Sequence, residues 1–377
     1  MNSRELRTFQ NEYDRCNKFV SVIGCGFKSL LNAKSLINVK RLEVSGNCLI
    51  NLDGVECLTN LQYFEACENK LISLTGIEKL INLEYLYIAH NPLTNLAGIE
   101  SLVNLKTLYI GGPELKDFTH IISLINLKEL RIGKCNSKNL DGIKFPINIT
   151  RMVLCSNLTS FDKIELPVNL IELDISFNKL ESLIGINCPT NIKTLDITDN
   201  NLANLAGIEN LINLIDLHVN KNKLTSLAGI ENLINLIDLH VCMNKLTSLA
   251  GIENLINLKD LDVSMNKLTS LAGIENLVNL IYLDVNTNKL TSLIPIYKLS
   301  KLKHINYENN ELLPIAQLNL IKYIDKNKFD NYIYWQLYRK FPRHFKIAIF
   351  KSLKNLLVNE FKNELSKNEH LKIAYKL

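Results

Sequence analysis

The chain repeats itself every 22 residues. The phrase Leu236-Ile-Asp-Leu239-His-Val241-Cys-Met-Asn244-Lys-Leu246-Thr-Ser-Leu249-Ala-Gly251-Ile252 returns in nearly the same words one period earlier, from Leu214, and one later, from Leu258. A unit this short cannot bury its own apolar face and must stack on its neighbours, so the period dictates a solenoid before any local propensity is consulted. Units open at Asn17, Val39, Leu61, Leu83, Leu105, Leu127, Ile149, Leu170, Ile192, Leu214, Leu236, Leu258 and Leu280, with an incomplete one at Leu302. The unit at Ile149 is 21 residues long. Its missing residue is expected in the convex connection, where chain length is tolerated.

The chemistry within a unit is regular. In Leu217-His218-Val219 the alternation places Leu217 and Val219 on one face and His218 on the other, the signature of a short strand with one buried side. Leu224, Leu227, Ile230 and Leu233 supply the rest of a slice of core. An asparagine recurs where the chain leaves the strand and turns inward, at Asn47, Asn69, Asn91, Asn157, Asn178, Asn200, Asn222, Asn244, Asn266, Asn288 and Asn310. Cys25, Cys135 and Pro113 occupy the same slot, and Pro113 marks a local irregularity.

The pattern L-x-x-L-x-[LIV]-x-x-N-x-L resembles the leucine-rich repeat. The trailing L-x-G-I-x-x-L-x-N is similar to the type found in internalins and in the leucine-rich regulatory subunit of a serine/threonine protein phosphatase. The resemblance spans roughly residues 17 to 312. It implies an α/β repeat solenoid, a curved horseshoe with a parallel sheet on its concave face. It also implies that the recurrent asparagines form a ladder of hydrogen bonds to backbone groups that would otherwise be buried unpaired.

Three segments are expected: a polar N-terminal stretch over 1–16, a solenoid of about thirteen complete units over 17–312, and a basic helical C-terminal cap over 313–377. In the last, Ile347, Phe350, Leu353, Leu357 and Phe361 recur at helical spacing and would cover the final core slice. Residues 311–377 carry 13 Lys/Arg against 6 Asp/Glu, so of the chain's net +5 the remainder holds −2. That balance does not describe a basic groove tracking a nucleic-acid backbone, and no nucleic-acid partner is expected. No apolar run approaches the length of a membrane span, and residues 1 to 15 lack the apolar stretch of a secretory signal. Nine cysteines without a C-x-x-C pair read as reduced thiols, and an intracellular, cytoplasmic protein, monomeric when unbound, is expected.

Function should lie on the solvent-facing strand positions. Tyr63, Tyr85, Tyr87 and Tyr109 form an aromatic patch with Arg131 and Arg151 beside it, and Tyr and Arg are the residue types most enriched among interface anchors. Further along, Asp174, Asp196, Asp216, Asp238, Asp260, Asp262 and Asp284 make an acidic strip. Asp216, His218, Asp238 and His240 are the weak candidates for a metal site, although duplication of one unit explains their recurrence without a metal. No phosphate-binding glycine loop, G-x-S-x-G elbow or spaced Cys/His pair accompanies them. The expectation is a scaffold or adaptor, without cofactor or catalysis, binding a protein partner on its concave face. The alternatives are a surface-exposed internalin-like adhesin and a metal-dependent enzyme.

Overall fold

The computed structural model describes residues 18–31, 36–135, 140, 142–162 and 164–312. The N-terminal segment and the helical cap expected over 313–377 lie outside these. Fourteen short strands form one parallel sheet in strict chain order. They are β1 Phe19–Ser21, β2 Arg41–Glu43, β3 Tyr63–Glu65, β4 Tyr85–Tyr87, β5 Thr107–Ile110, β6 Glu129–Gly133 and β7 Arg151–Cys155 in the first half. The second half comprises β8 Glu172–Asp174, β9 Thr194–Asp196, β10 Asp216–His218, β11 Asp238–His240, β12 Asp260–Asp262, β13 Tyr282–Asp284 and β14 His304–Asn306. Register follows the period, so each strand residue pairs with its own equivalent one repeat on, as Leu217 does with Leu239.

Each turn of the solenoid closes a complete slice of core. Leu217, Val219, Leu224, Leu227, Ile230 and Leu233 are all fully buried, and Leu236 begins the next slice. The return path on the convex side is turns and 3-10 segments of three to five residues, such as Ile77–Lys79 and Thr119–Ser123. One bend explains both a glycine and an acid in the repeat. Gly207 has φ +111°, and a Cβ there would lie 2.5 Å from the Leu183 carbonyl oxygen. Its N–H, left without a backbone partner by the bend, donates to the Glu209 carboxylate at 2.8 Å. The same contact recurs at Gly54, Gly76, Gly98, Gly229, Gly251 and Gly273.

The asparagine ladder is built as its slot requires. The Asn244 amide donates to the carbonyls of Val219, Val241 and Cys242 at 2.9, 3.1 and 3.2 Å, and its Oδ1 accepts the Leu224 N–H at 3.0 Å. It thus joins its own turn to the one before. Asn47, Asn69, Asn91, Asn178, Asn200, Asn222, Asn266, Asn288 and Asn310 make the same set of contacts.

Asn157 does not belong to the ladder, contrary to its place in the count from the strand. It is exposed and adopts φ +56°, while Ser156 is fully buried in the slot. The N–H groups of Ser156 and Leu158 both reach the Oδ1 of Asn178, at 3.0 and 2.9 Å. The missing residue of this repeat therefore falls between β7 and the ladder position, not in the convex connection. Phe161, Ile164 and Leu170 keep the ordinary spacing beyond it.

A second asparagine ladder runs along the edge where each strand begins. Asn82, Asn104, Asn126, Asn235, Asn257 and Asn279 each donate to a carbonyl 23 residues earlier, at 2.8 or 2.9 Å. These amides are exposed, so each bond contributes less than a core-side one.

Candidate functional site

The concave face carries two columns of outward side chains, from the first and third residues of each strand. Strand register converts the sequence period into side chains stacked about 4.8 Å apart. In the N-terminal half this brings the tyrosines together. The Tyr63 ring lies 6.0 Å from Tyr85 and 5.2 Å from Tyr87, and Tyr87 meets Tyr109 edge-on at 6.5 Å. His90 continues the row, edge-on to Tyr109 at 6.5 Å. At the other end the Arg41 guanidinium sits 3.9 Å above the Tyr63 ring and 5.4 Å above Phe19. Arg41, Phe19 and His90 extend the patch beyond the residues that sequence pattern singled out.

Hydrogen bonds hold this patch in place. Glu43 takes the Arg41 guanidinium at 2.6 Å, and the Tyr63 hydroxyl donates to Glu65 at 2.9 Å. Burial and that bond to Glu65 push the Tyr63 phenol well above the usual tyrosine range, so it stays a neutral donor. Burial likewise raises the phenols of Tyr87 and Tyr109. Arg131 and Arg151 do not stand free beside the tyrosines. Arg131 pairs with Glu129 at 2.6 Å, and Arg151 lies 3.4 Å from Glu129 and 3.2 Å from Glu172. These exposed pairs contribute little stability, but they fix a row of alternating charge between the aromatic and acidic halves.

The acidic strip divides into two kinds of residue. Third-position aspartates close the strand exits: Asp174, Asp196, Asp262 and Asp284 each accept, at 2.9 Å, the N–H two residues on. The bond explains why acids recur in that column despite like-charge repulsion. First-position Asp216, Asp238 and Asp260 lie side by side in register without such bonds. His218 and His240 pair beside them, with ring centroids 4.7 Å apart. Among the described residues, no group of three or more His, Cys, Asp or Glu side chains is placed to hold a metal ion.

Cys25, Cys48, Cys57, Cys67, Cys135, Cys155, Cys188 and Cys242 are all free thiols. Burial pushes those of Cys67, Cys155 and Cys242 up to about 11 and that of Cys188 up to about 12, so they remain protonated and unreactive at neutral pH. No helix among the described residues is long and apolar enough to cross a membrane.

Comparison with known proteins agrees with this geometry. The pattern for leucine-rich repeats, in two copies, matches residues 81–123. No curated protein matches the chain. Among solved structures, an internalin from Listeria monocytogenes superposes with a TM-score of 0.61 at 22% identity, over 74% of this chain and 84% of that one. A leucine-rich repeat protein from Leptospira interrogans gives 0.60 at 23% identity, over 87% and 98%. A chain of the Drosophila Toll–Spatzle complex in its glycosylated form gives 0.62 at 20% identity, over 75% and 43%. Identities this low establish the fold and nothing finer. Together with the matched pair of repeats and the fourteen strands in register, they identify the chain as a leucine-rich repeat solenoid.

Proposed function

We propose that the chain is a non-catalytic scaffold that binds a protein partner across the concave face, anchored by the aromatic half of the sheet. The supporting observation is the continuous row from Phe19 and Arg41 through Tyr63, Tyr85, Tyr87 and Tyr109, presented on adjacent strands, to His90 in the turn after β4. Rings whose rotamers are already fixed lose little entropy on binding, and aromatic and Arg side chains dominate the energetics of protein interfaces. Arg131, Arg151 and the acidic strip would then set orientation and association rate more than residence time. The Toll–Spatzle complex is a precedent for a solenoid of this fold engaged with a partner. An intracellular adaptor role is the reading we favour, because the described cysteines are free.

Full-length protein immobilised as bait in an extract of its native cell provides the test. Tyr87→Ala and Tyr109→Ala leave the buried strand positions intact and should melt like the parent. Each is expected to weaken the captured partner about tenfold to a hundredfold, the loss typical of an anchor residue. Equal recovery by the parent and both variants would remove the aromatic row from the interface.

A further inference from the structure

The edge along which the strands begin carries an aliphatic ridge. Edge asparagines hold its backbone through the carbonyl groups, as Asn104 does at Ile81, Asn126 at Val103, Asn235 at Ile212 and Asn257 at Ile234, and the side chains are left pointing to solvent. In this column Ile81, Val103, Ile125, Ile147 and Val168 follow one another on five successive turns, and Ile212, Ile234, Ile256 and Val278 on four more. All nine are between 44% and 64% exposed. The backbone does not demand an aliphatic group there, because Asn82 and Asn213 bond in the same way to the carbonyls of the exposed Thr59 and Thr190. Duplication does not explain the first five either. The residue three places further on reads Glu84, Lys106, Lys128, Thr150 and Ile171, so these units have diverged around a position that stayed apolar.

We propose that this ridge is a homodimer interface, on which a second copy of the chain packs edge to edge and antiparallel about a two-fold axis passing Thr190. Area supports a partner of that size. A half-exposed aliphatic residue offers roughly 70 to 100 Å², so the nine together present about 600 to 900 Å². Monomers seldom leave more than about 300 to 600 Å² of contiguous apolar surface uncovered, and a stable interface takes about 800 Å² from each side. The order of residues supports a second copy in particular, since a two-fold interface must be complementary to itself. Thr190 divides the ridge, and equal steps to either side of it meet matching residues: Val168 against Ile212, Ile147 against Ile234, Ile125 against Ile256 and Val103 against Val278. The exposed Thr59 and Ser300 end the ridge. An axis running from the concave to the convex side leaves both concave faces open and turned the same way. The dimer stands in place of the monomer expected from the sequence, and it does not depend on which partner the concave face takes.

Sedimentation of the full-length chain is expected to show a dimer that forms in the micromolar range. Ile147→Lys and Ile234→Lys each put one charge per copy into the interface and should weaken dimerisation about a hundredfold or more. Ile72→Lys, at an exposed aliphatic residue outside the ridge, should leave it unchanged. All three substitutions are at solvent-facing positions, and each variant should keep the parent's circular dichroism. Cysteine cross-linking reads the orientation. Under mild oxidation Thr190→Cys should give a covalent dimer above the parent's background, because the axis brings Thr190 to its own copy, whereas Val278→Cys should not, because it meets Val103. A parent chain that sediments as a monomer well above micromolar concentration, or a dimer that both ridge lysines leave intact, would overturn the interface. A covalent dimer through Val278→Cys but not Thr190→Cys would overturn the antiparallel packing.

Discussion

Asn244→Ala is expected to lower the unfolding free energy by about 3 kcal/mol, far more than loss of a single surface hydrogen bond. The side chain makes four bonds at once, one accepted from Leu224 and three donated to Val219, Val241 and Cys242, in a slot only 8% exposed. Alanine leaves a buried N–H and the carbonyls it served without partners, and each orphaned buried group costs about 1–3 kcal/mol. The loss couples two turns, so the effect should reach β10 as well as β11. Asn235→Ala, which removes one exposed bond to the Ile212 carbonyl, should cost no more than about 1 kcal/mol. Asn157→Ala should be close to neutral, whereas Ser156→Asn should be resisted because Ser156 is fully buried against Ile132 and Asn178. Urea unfolding of the four variants checks the order. If Asn157→Ala were as damaging as Asn244→Ala, the ladder would run through Asn157 after all.

The core and the ladder were legible in the sequence for one physical reason. A period that returns thirteen times averages out local ambiguity, so the buried positions represented by Leu217, Val219, Leu224 and Leu227 could be assigned without any helix or strand propensity. Where the period breaks, counting loses its power. A 21-residue unit announces that a residue is missing but not on which side of the turn, and assigning the gap to the convex side put Asn157 in a slot that Ser156 holds. The edge asparagines were visible as a recurrence, yet their bonds reach across to the previous turn and need the stacked geometry to be recognised. Acidic residues such as Asp174 and Asp262 read as a charged surface, when each also closes a backbone N–H in the D-x-[ST] step that follows the strand. Tyr63, Tyr85, Tyr87 and Tyr109 were placed together correctly because parallel register is set by the same period. Arg41 and His90 were missed, since their contact with the rings depends on side-chain direction rather than on position in the repeat.

Gly111→Ala is expected to be the most damaging single-methyl change in the solenoid, costing about 3–5 kcal/mol and splitting its unfolding into two steps. The sequence position that holds the ladder asparagine elsewhere is Pro113 here, which has no side-chain amide and is exposed, while Gly111 and Gly112 before it are buried. A Cβ on Gly111 would lie 1.8 Å from the Gly133 carbonyl oxygen, and one on Gly112 would lie 2.1 Å from that of Asn91. Both clashes are with backbone, which no rotamer change relieves, and Gly111 also holds φ +152°, a conformation closed to other residues. Relief would require β5 to part from β6, breaking register at the junction between the aromatic half and the rest of the sheet. In a solenoid each turn is stabilised by its neighbours, so a failed junction leaves two arrays that unfold at different denaturant concentrations. Two controls separate the causes. Gly142 has φ +75° with nothing within 4 Å of an added Cβ, so Gly142→Ala reports backbone strain alone, about 1–2 kcal/mol. Gly133→Ala would only touch the Tyr109 hydroxyl at 3.5 Å and its ring at 3.6 Å, ordinary contacts, and should be tolerated. A Gly111→Ala protein that unfolds in one transition at the wild-type midpoint would mean that β5 and β6 can part locally without cost, and the close approach at Gly133 would lose its structural role.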